Sequence, residues 1–214
     1  MLINELAKEV HQNAVDHGWW EDEREAPEII ALIHSEWSEA LEEARADMPL
    51  AYITLKHNEL SPVMTEIIPR GDDGTYTSEI GLSDGKRITD GKPEGVAVEL
   101  IDGCIRILDL FGELNINALD DKTDKPFEIE GLYEEDIACE ANYPLSHTVA
   151  YLHGFTSDAL KSDSATGPIN PGALTSALAL ALSWVKKQGL NPLAILLEKH
   201  AYNKTRPYKH GKKF

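Results

Sequence analysis

Apolar residues recur along much of this chain at helical spacing, and short β-prone runs take over where they do not. In residues 2–17, Leu2, Leu6, Val10 and Ala14 return every fourth position, predicting a first helix that "HGWW" then breaks. Pro27 suits a first helical position. From Glu28 to about Asp47, Ile30, Ile33, Trp37, Ala40, Leu41 and Ala44 form one broad stripe, predicting a second helix. From Met48 to about Lys92 the pattern shifts to "YITLK", "TEIIP" and "TYTSEIGL", separated by the turn signals Asp73-Gly74 and Asp84-Gly85. Residues 48–92 therefore read as a β-hairpin-like insertion. Pro93 is expected to open a third helix, in which "EGVAVELIDGCIRILDLFG" places apolar side chains around nearly the whole circumference, as in a central buried helix. Its polar residues are not scattered: Glu99, Asp102, Arg106 and Asp109, at intervals of three, four and three, share one narrow stripe.

Residues 115–145 are acidic and aperiodic and read as a second insertion or a lid. Ser146 is expected to cap a helix running to about Leu160. Asn170-Pro171 and Asn191-Pro192 are paired cap and first-turn signals for two more helices, and Gly189 ends the earlier one. The last of these, "PLAILLEKHAYNK", runs directly into a basic tail. The predicted fold class is all-α: a single domain spanning 1–214, a helical bundle with the β-like insertion between its second and third helices.

Composition narrows the function. With 42% hydrophobic and 27% charged residues in 214, the chain has an ordinary globular balance and enough length for a real core. A formal charge of −17 argues against a nucleic-acid or anionic-membrane partner, since both are held mainly by Lys and Arg. Cys104 and Cys139 have no metal-ligand spacing and suit a reducing, cytoplasmic compartment. The N-terminus does not read as a secretory signal, and "ALTSALALALSWV" is too short to span a bilayer. The charge is also segregated. Six of the 20 Lys and Arg lie in the final "KHAYNKTRPYKHGKKF", which has no acid, leaving 14 basic against 37 acidic residues in 1–198. Such an end is a solvated arm or one half of an anion site.

The acids supply the other half. Glu36-x-x-Glu39 on the second helix and Glu99-x-x-Asp102 on the third each place two carboxylates on one helical face. If the helices pack side by side, four oxygen donors converge, the hard-ligand set that Mg²⁺ takes while keeping waters and binding phosphate. The plain readings are a solvated acidic face for the first pair and a salt bridge from Glu99 or Asp102 to Arg106 for the second. Lys199, Asn203 and Arg206, spaced by four and three, share a face if the last helix extends that far, although Pro207 limits it. Arg and Lys suit phosphate oxygens, and Asn a ribose or phosphate oxygen. Trp19 and Trp20 are candidates to stack on a base, against the plainer reading that one of them enters the core.

Together, Glu36-x-x-Glu39, Glu99-x-x-Asp102 and the ordered Lys199, Asn203, Arg206 and "HGKK" resemble the MazG-like all-α nucleoside triphosphate pyrophosphohydrolases, over about 1–47, 94–112 and 190–214. The 59 residues between Glu39 and Glu99 exceed the family's usual short connection. The resemblance implies a helical bundle, a homodimer or homotetramer, that binds Mg²⁺, with Mn²⁺ as a substitute, through Glu36, Glu39, Glu99 and Asp102. It implies hydrolysis of an NTP or dNTP to the monophosphate and pyrophosphate, a nucleotide-pool housecleaning activity. In that scheme Glu39, with Glu36, handles the attacking water, and Lys199, Asn203, Arg206, Lys209, His210 and Lys212 face the phosphates. A di-iron carboxylate bundle is excluded because no Glu precedes any His by three positions. "GLSDGKR" is one residue short of a P-loop and has Arg where Ser or Thr should follow Lys. The remaining alternative is a non-catalytic helical module that binds nucleotides or a protein partner.

Overall fold

The third helix organises the molecule. A computed structural model describes residues 1–56, 65–71, 74–76, 91–116, 128–134, 142–161 and 169–211. Helix α3 (Val96–Glu113) buries Leu100, Ile101, Cys104, Ile107 and Leu108 completely, as its all-round apolar pattern requires. Around it pack α1 (Ile3–Asp16), α2 (Ala26–Arg45), α6 (Pro171–Lys187) and α7 (Pro192–Lys204). Helix α5 (Leu145–Asp158) lies against α2 and α6, and the single turn α4 (Gly131–Glu134) lies against α6. The fold is mainly helical. Among the described residues, no helix is long and apolar enough to cross a membrane.

Local chemistry explains most boundaries. Asn170 Oδ1 accepts hydrogen bonds from the amides of Gly172 and Ala173, and Asn191 Oδ1 from that of Ala194, so both expected caps form, each followed by Pro in the first turn. Gly189 sits at φ +85° just after α6. Two expectations fail. Ser146 lies inside α5, whose first turn starts behind Pro144 without a side-chain cap. Pro93 does not open α3 but lies in a strand, and the helix starts three residues later, after Gly95 at φ +112°. A Cβ at Gly95 would come within 2.8 Å of the carbonyl oxygens of Pro49 and Leu50, so the chain turns here only because that atom is missing.

Among its described residues, the insertion forms a three-stranded antiparallel sheet, a hairpin with one added strand. Strands β1 (Tyr52–Lys56), β2 (Thr65–Pro69) and β3 (Lys92–Glu94) lie in the order β2-β1-β3, with Ile53 opposite both Ile68 and Pro93. Pro93 is tolerated because β3 is an edge strand. Of the expected "TYTSEIGL" strand only Thr75 and Tyr76 are described, with Tyr76 bridged to Arg70; the turn at Asp84-Gly85 lies outside the described residues, as does much of 115–145. Ile53 and Ile68 form a small core of their own with Tyr76. Polar contacts dock this sheet on the helices. Tyr52 Oη donates to Glu43 on α2 at 3.0 Å, and Tyr76 Oη donates to Glu198 on α7 at 2.5 Å.

Helices α2 and α3 approach closely because Gly103 faces Trp37. The Trp37 indole is fully buried and donates from Nε1 to Thr156 Oγ1 on α5 at 2.9 Å. A Cβ on Gly103 would lie 2.2 Å from the indole ring. Gly103→Ala is therefore expected to cost about 1–3 kcal/mol through overpacking, despite alanine's better helix propensity. Thermal unfolding checks this, with a drop of roughly 2–4 °C per kcal/mol expected at this chain length.

Candidate active site

The close approach of α2 and α3 brings the two acidic pairs together. One carboxylate oxygen from each of Glu36, Glu99 and Asp102 falls within 4.8 Å of the others, and Glu36 and Glu99 are buried. Glu39 lines the same cleft, of about 160 Å³, but stands outside this cluster; it is exposed and accepts a hydrogen bond from Ser35 Oγ at 3.0 Å. All four members of the α3 polar stripe, Glu99, Asp102, Arg106 and Asp109, line the cleft. One helical face aimed at one space produces that.

Two internal cations share the acids. Arg106 hydrogen-bonds Glu36 through Nε. Lys199, only 2% exposed, bonds Asp102 Oδ2 at 2.9 Å and donates to the Pro93 carbonyl of β3 at 3.0 Å. The expected bridge from Glu99 or Asp102 to Arg106 is thus replaced by these two pairs. Glu99 has neither a direct hydrogen bond nor an ion pair to its carboxylate among the described residues. Burial first, then the neighbouring Asp102, push its pKa up to about 8, making it a far weaker acid than an ordinary carboxyl. Burial also pushes Glu36 upward, against the pull of Arg106. For Lys199 burial works toward neutrality, but Asp102 and Glu99 outweigh it and hold the ammonium above its ordinary value.

The last helix and the residues after it close the cleft. Lys199, Asn203 and Arg206 all line it, although α7 ends at Lys204. The Arg206 guanidinium has no acid partner among the described residues, and Asn203 Oδ1 is buried without a hydrogen-bond donor. Lys209 does not line the cleft; its Nζ lies 3.7 Å from both Glu21 and Asp22, on the outside. The His210 side chain and Lys212 lie outside the described residues.

The two tryptophans divide. Trp19 lines the cleft beside Arg24, whose guanidinium lies 5.8 Å from the ring centroid. Trp20 does not reach the cleft; it packs on the core and donates from Nε1 to Asp109 Oδ1 at 2.9 Å. The same oxygen meets His11 Nδ1 at 2.8 Å, and that contact raises the histidine's basicity. No protein-family model, curated protein or solved structure matches the chain. The site must be read from its own chemistry.

Several cleft residues escaped the sequence reading. Arg106 and Asp109 were on the visible stripe, so their neighbourhood was signalled although their role was not. Asn13 and His17 sit at the end of α1, Arg24 in the α1–α2 connection and Lys92 on β3. Short connections and edge strands carry no periodicity, so nothing in the spacing aims those side chains.

Donor chemistry fits a hard divalent cation. Three oxygen ligands, one of them a buried carboxylate with no direct ion-pair partner among the described residues, are the type of set Mg²⁺ takes while retaining water. There is no sulfur or imidazole in this group, which disfavours softer ions.

Proposed function

We propose that the protein is a Mg²⁺-dependent nucleoside triphosphate pyrophosphohydrolase of the MazG-like type, converting an NTP or dNTP to its monophosphate and pyrophosphate. The observation that carries this reading is the convergence of Glu36, Glu99 and Asp102 within 4.8 Å, in a cleft also lined by Arg206, which has no acid partner among the described residues. Carboxylates and cations lining one cleft suit a metal-complexed polyphosphate better than either ion alone.

Charge balance supports metal participation. The cleft wall has five carboxylates (Glu36, Glu39, Glu99, Asp102 and Asp109) and five cations (Arg24, Lys92, Arg106, Lys199 and Arg206). A triphosphate would add several negative charges that these side chains, largely paired already, do not offset. Bound Mg²⁺, held by Glu36, Glu99 and Asp102 and with Mn²⁺ as a substitute, supplies that charge and makes an attacking water more acidic. Glu39, beside the metal ligands and oriented by Ser35, orients the water and takes its proton. Arg206 stabilises charge on the departing pyrophosphate. Lys199 acts differently from a free phosphate ligand: it seats Asp102. The face of Trp19 offers the base a stacking surface.

The test is a panel of NTPs and dNTPs with Mg²⁺, with Mn²⁺ or with EDTA, assayed for pyrophosphate and monophosphate. Metal-dependent release of both products is expected from at least one member. A complete absence of turnover across the panel would overturn the reading. One observation favours the rival, a non-catalytic binding module: Glu36 and Asp102 are already neutralised by Arg106 and Lys199. Calorimetric titration with Mg²⁺ separates the two, because the rival predicts no binding that depends on Glu99.

A further inference from the structure

The opposite side of α2 carries a second cluster of ligand type. Positions 34 and 36 are about 200° apart around a helix, so His34 points away from the carboxylates that include Glu36. It meets His153 of α5. Their rings are nearly parallel, at 12°, with centroids 4.9 Å apart and Nδ1 atoms only 2.7 Å apart. Since a ring nitrogen lies roughly 1.1 Å from its centroid, these distances place the imidazoles edge to edge, nitrogen aimed at nitrogen, rather than face to face. One Nδ1 carries a proton and the other accepts it.

A neighbour can serve His34 as the acceptor. Ser157 Oγ lies 3.4 Å from His34 Nε2. With His34 protonated at Nε2 and donating to that hydroxyl, its Nδ1 presents a lone pair toward His153. This is the arrangement of a ligating histidine, whose outer N–H is held by a second group. Burial lowers the basicity of both rings, which keeps them in the neutral, ligating form near neutral pH. The helices that carry them are held in register by the buried Trp37–Thr156 hydrogen bond. Both rings are half-buried, so water can reach the remaining coordination positions.

We propose that His34 and His153 form an imidazole site for a borderline divalent cation such as Zn²⁺, bridging α2 and α5 and independent of the carboxylate cleft. Binding replaces the shared proton, which moves to the outer nitrogen of His153, so both Nδ1 atoms become ligands. Metal–nitrogen bonds of about 2.0–2.1 Å at a tetrahedral angle need the two nitrogens roughly 3.3 Å apart, a separation reached by small side-chain rotations. Imidazole prefers such ions to Mg²⁺, so the two sites select different metals.

The experiment uses the full chain, stripped with EDTA and then titrated with ZnCl₂ in a millimolar excess of Mg²⁺. Calorimetry gives affinity and stoichiometry, and imidazole NMR follows the two rings. The expected result is one Zn²⁺ per chain with perturbed His34 and His153 resonances. Affinity should fall at least tenfold in His34→Ala and in His153→Ala, but remain unchanged in Glu99→Gln. Unmoved ring resonances in the wild type, or wild-type affinity in both folded histidine variants, would overturn the proposal. The wild-type NMR result decides even if a variant fails to fold.

Discussion

Glu99→Gln should make the metal-free protein more stable and abolish nearly all of the proposed pyrophosphohydrolase activity. Glu99 is buried, without a direct polar partner among the described residues, and its pKa is pushed up to about 8 by burial and by Asp102. An acid whose folded pKa exceeds its unfolded value, near 4.5, holds its proton more tightly in the folded state. Stability of the metal-free wild type therefore falls as pH rises from about 4.5 to about 8 and levels off above that window. Glutamine keeps the shape and loses the charge. At pH 8 in EDTA the variant should gain up to about 4 kcal/mol, or roughly 8–16 °C in Tm. Saturating Mg²⁺ should reverse the order, because a ligand of the folded state stabilises the wild type and not the variant. Pyrophosphate release should fall by more than the roughly 10–100-fold cost of losing a mere outer-shell partner. Identical melting of the two proteins in EDTA across this pH range, or full activity in the variant, would refute the assignment of Glu99.

Lys199→Met should be among the most damaging single changes in the chain. Its ammonium is buried between Asp102 and the Pro93 carbonyl, and its removal takes the direct ion-pair partner from Asp102 while Arg106 stays engaged with Glu36. Breaking one partner out of a buried pair costs about 3–5 kcal/mol. Adding Asp102→Asn should return part of this loss, since the stranded charge is then gone; a double-mutant cycle in urea gives the coupling. Such a recovery of stability without recovery of turnover marks Lys199 as a positioning residue. If Lys199 instead only contacts phosphate, the single variant should melt like wild type and show its defect in KM.

Much of this was legible from periodicity. The apolar circumference of α3 predicted its central place, and the intervals linking Glu99, Asp102, Arg106 and Asp109 predicted a common face, which lines the cleft. Asn170 and Asn191 announced their helices because a side-chain acceptor followed by proline has a direct local purpose. What stayed hidden was tertiary. Pro93 looked like a helix start, and only the pairing of β3 with β1 shows why a residue lacking an amide donor suits that edge. Lys199 looked like a free phosphate ligand because spacing reports the face of a residue and not its partner. Trp19 and Trp20, adjacent in sequence, part company because one borders the cleft while the other is drawn to Asp109.

That last division has an optical consequence. Trp37 and Trp184 are sealed in the interior, at 0% and 5% exposure, so their emission should be blue-shifted and insensitive to soluble quenchers. Any intensity change produced by adding a nucleotide would then originate at Trp19 or Trp20, and Trp19→Phe would silence it if the base stacks there. The native chain thus carries its own fluorescent reporter of cleft occupancy, with no dye needed.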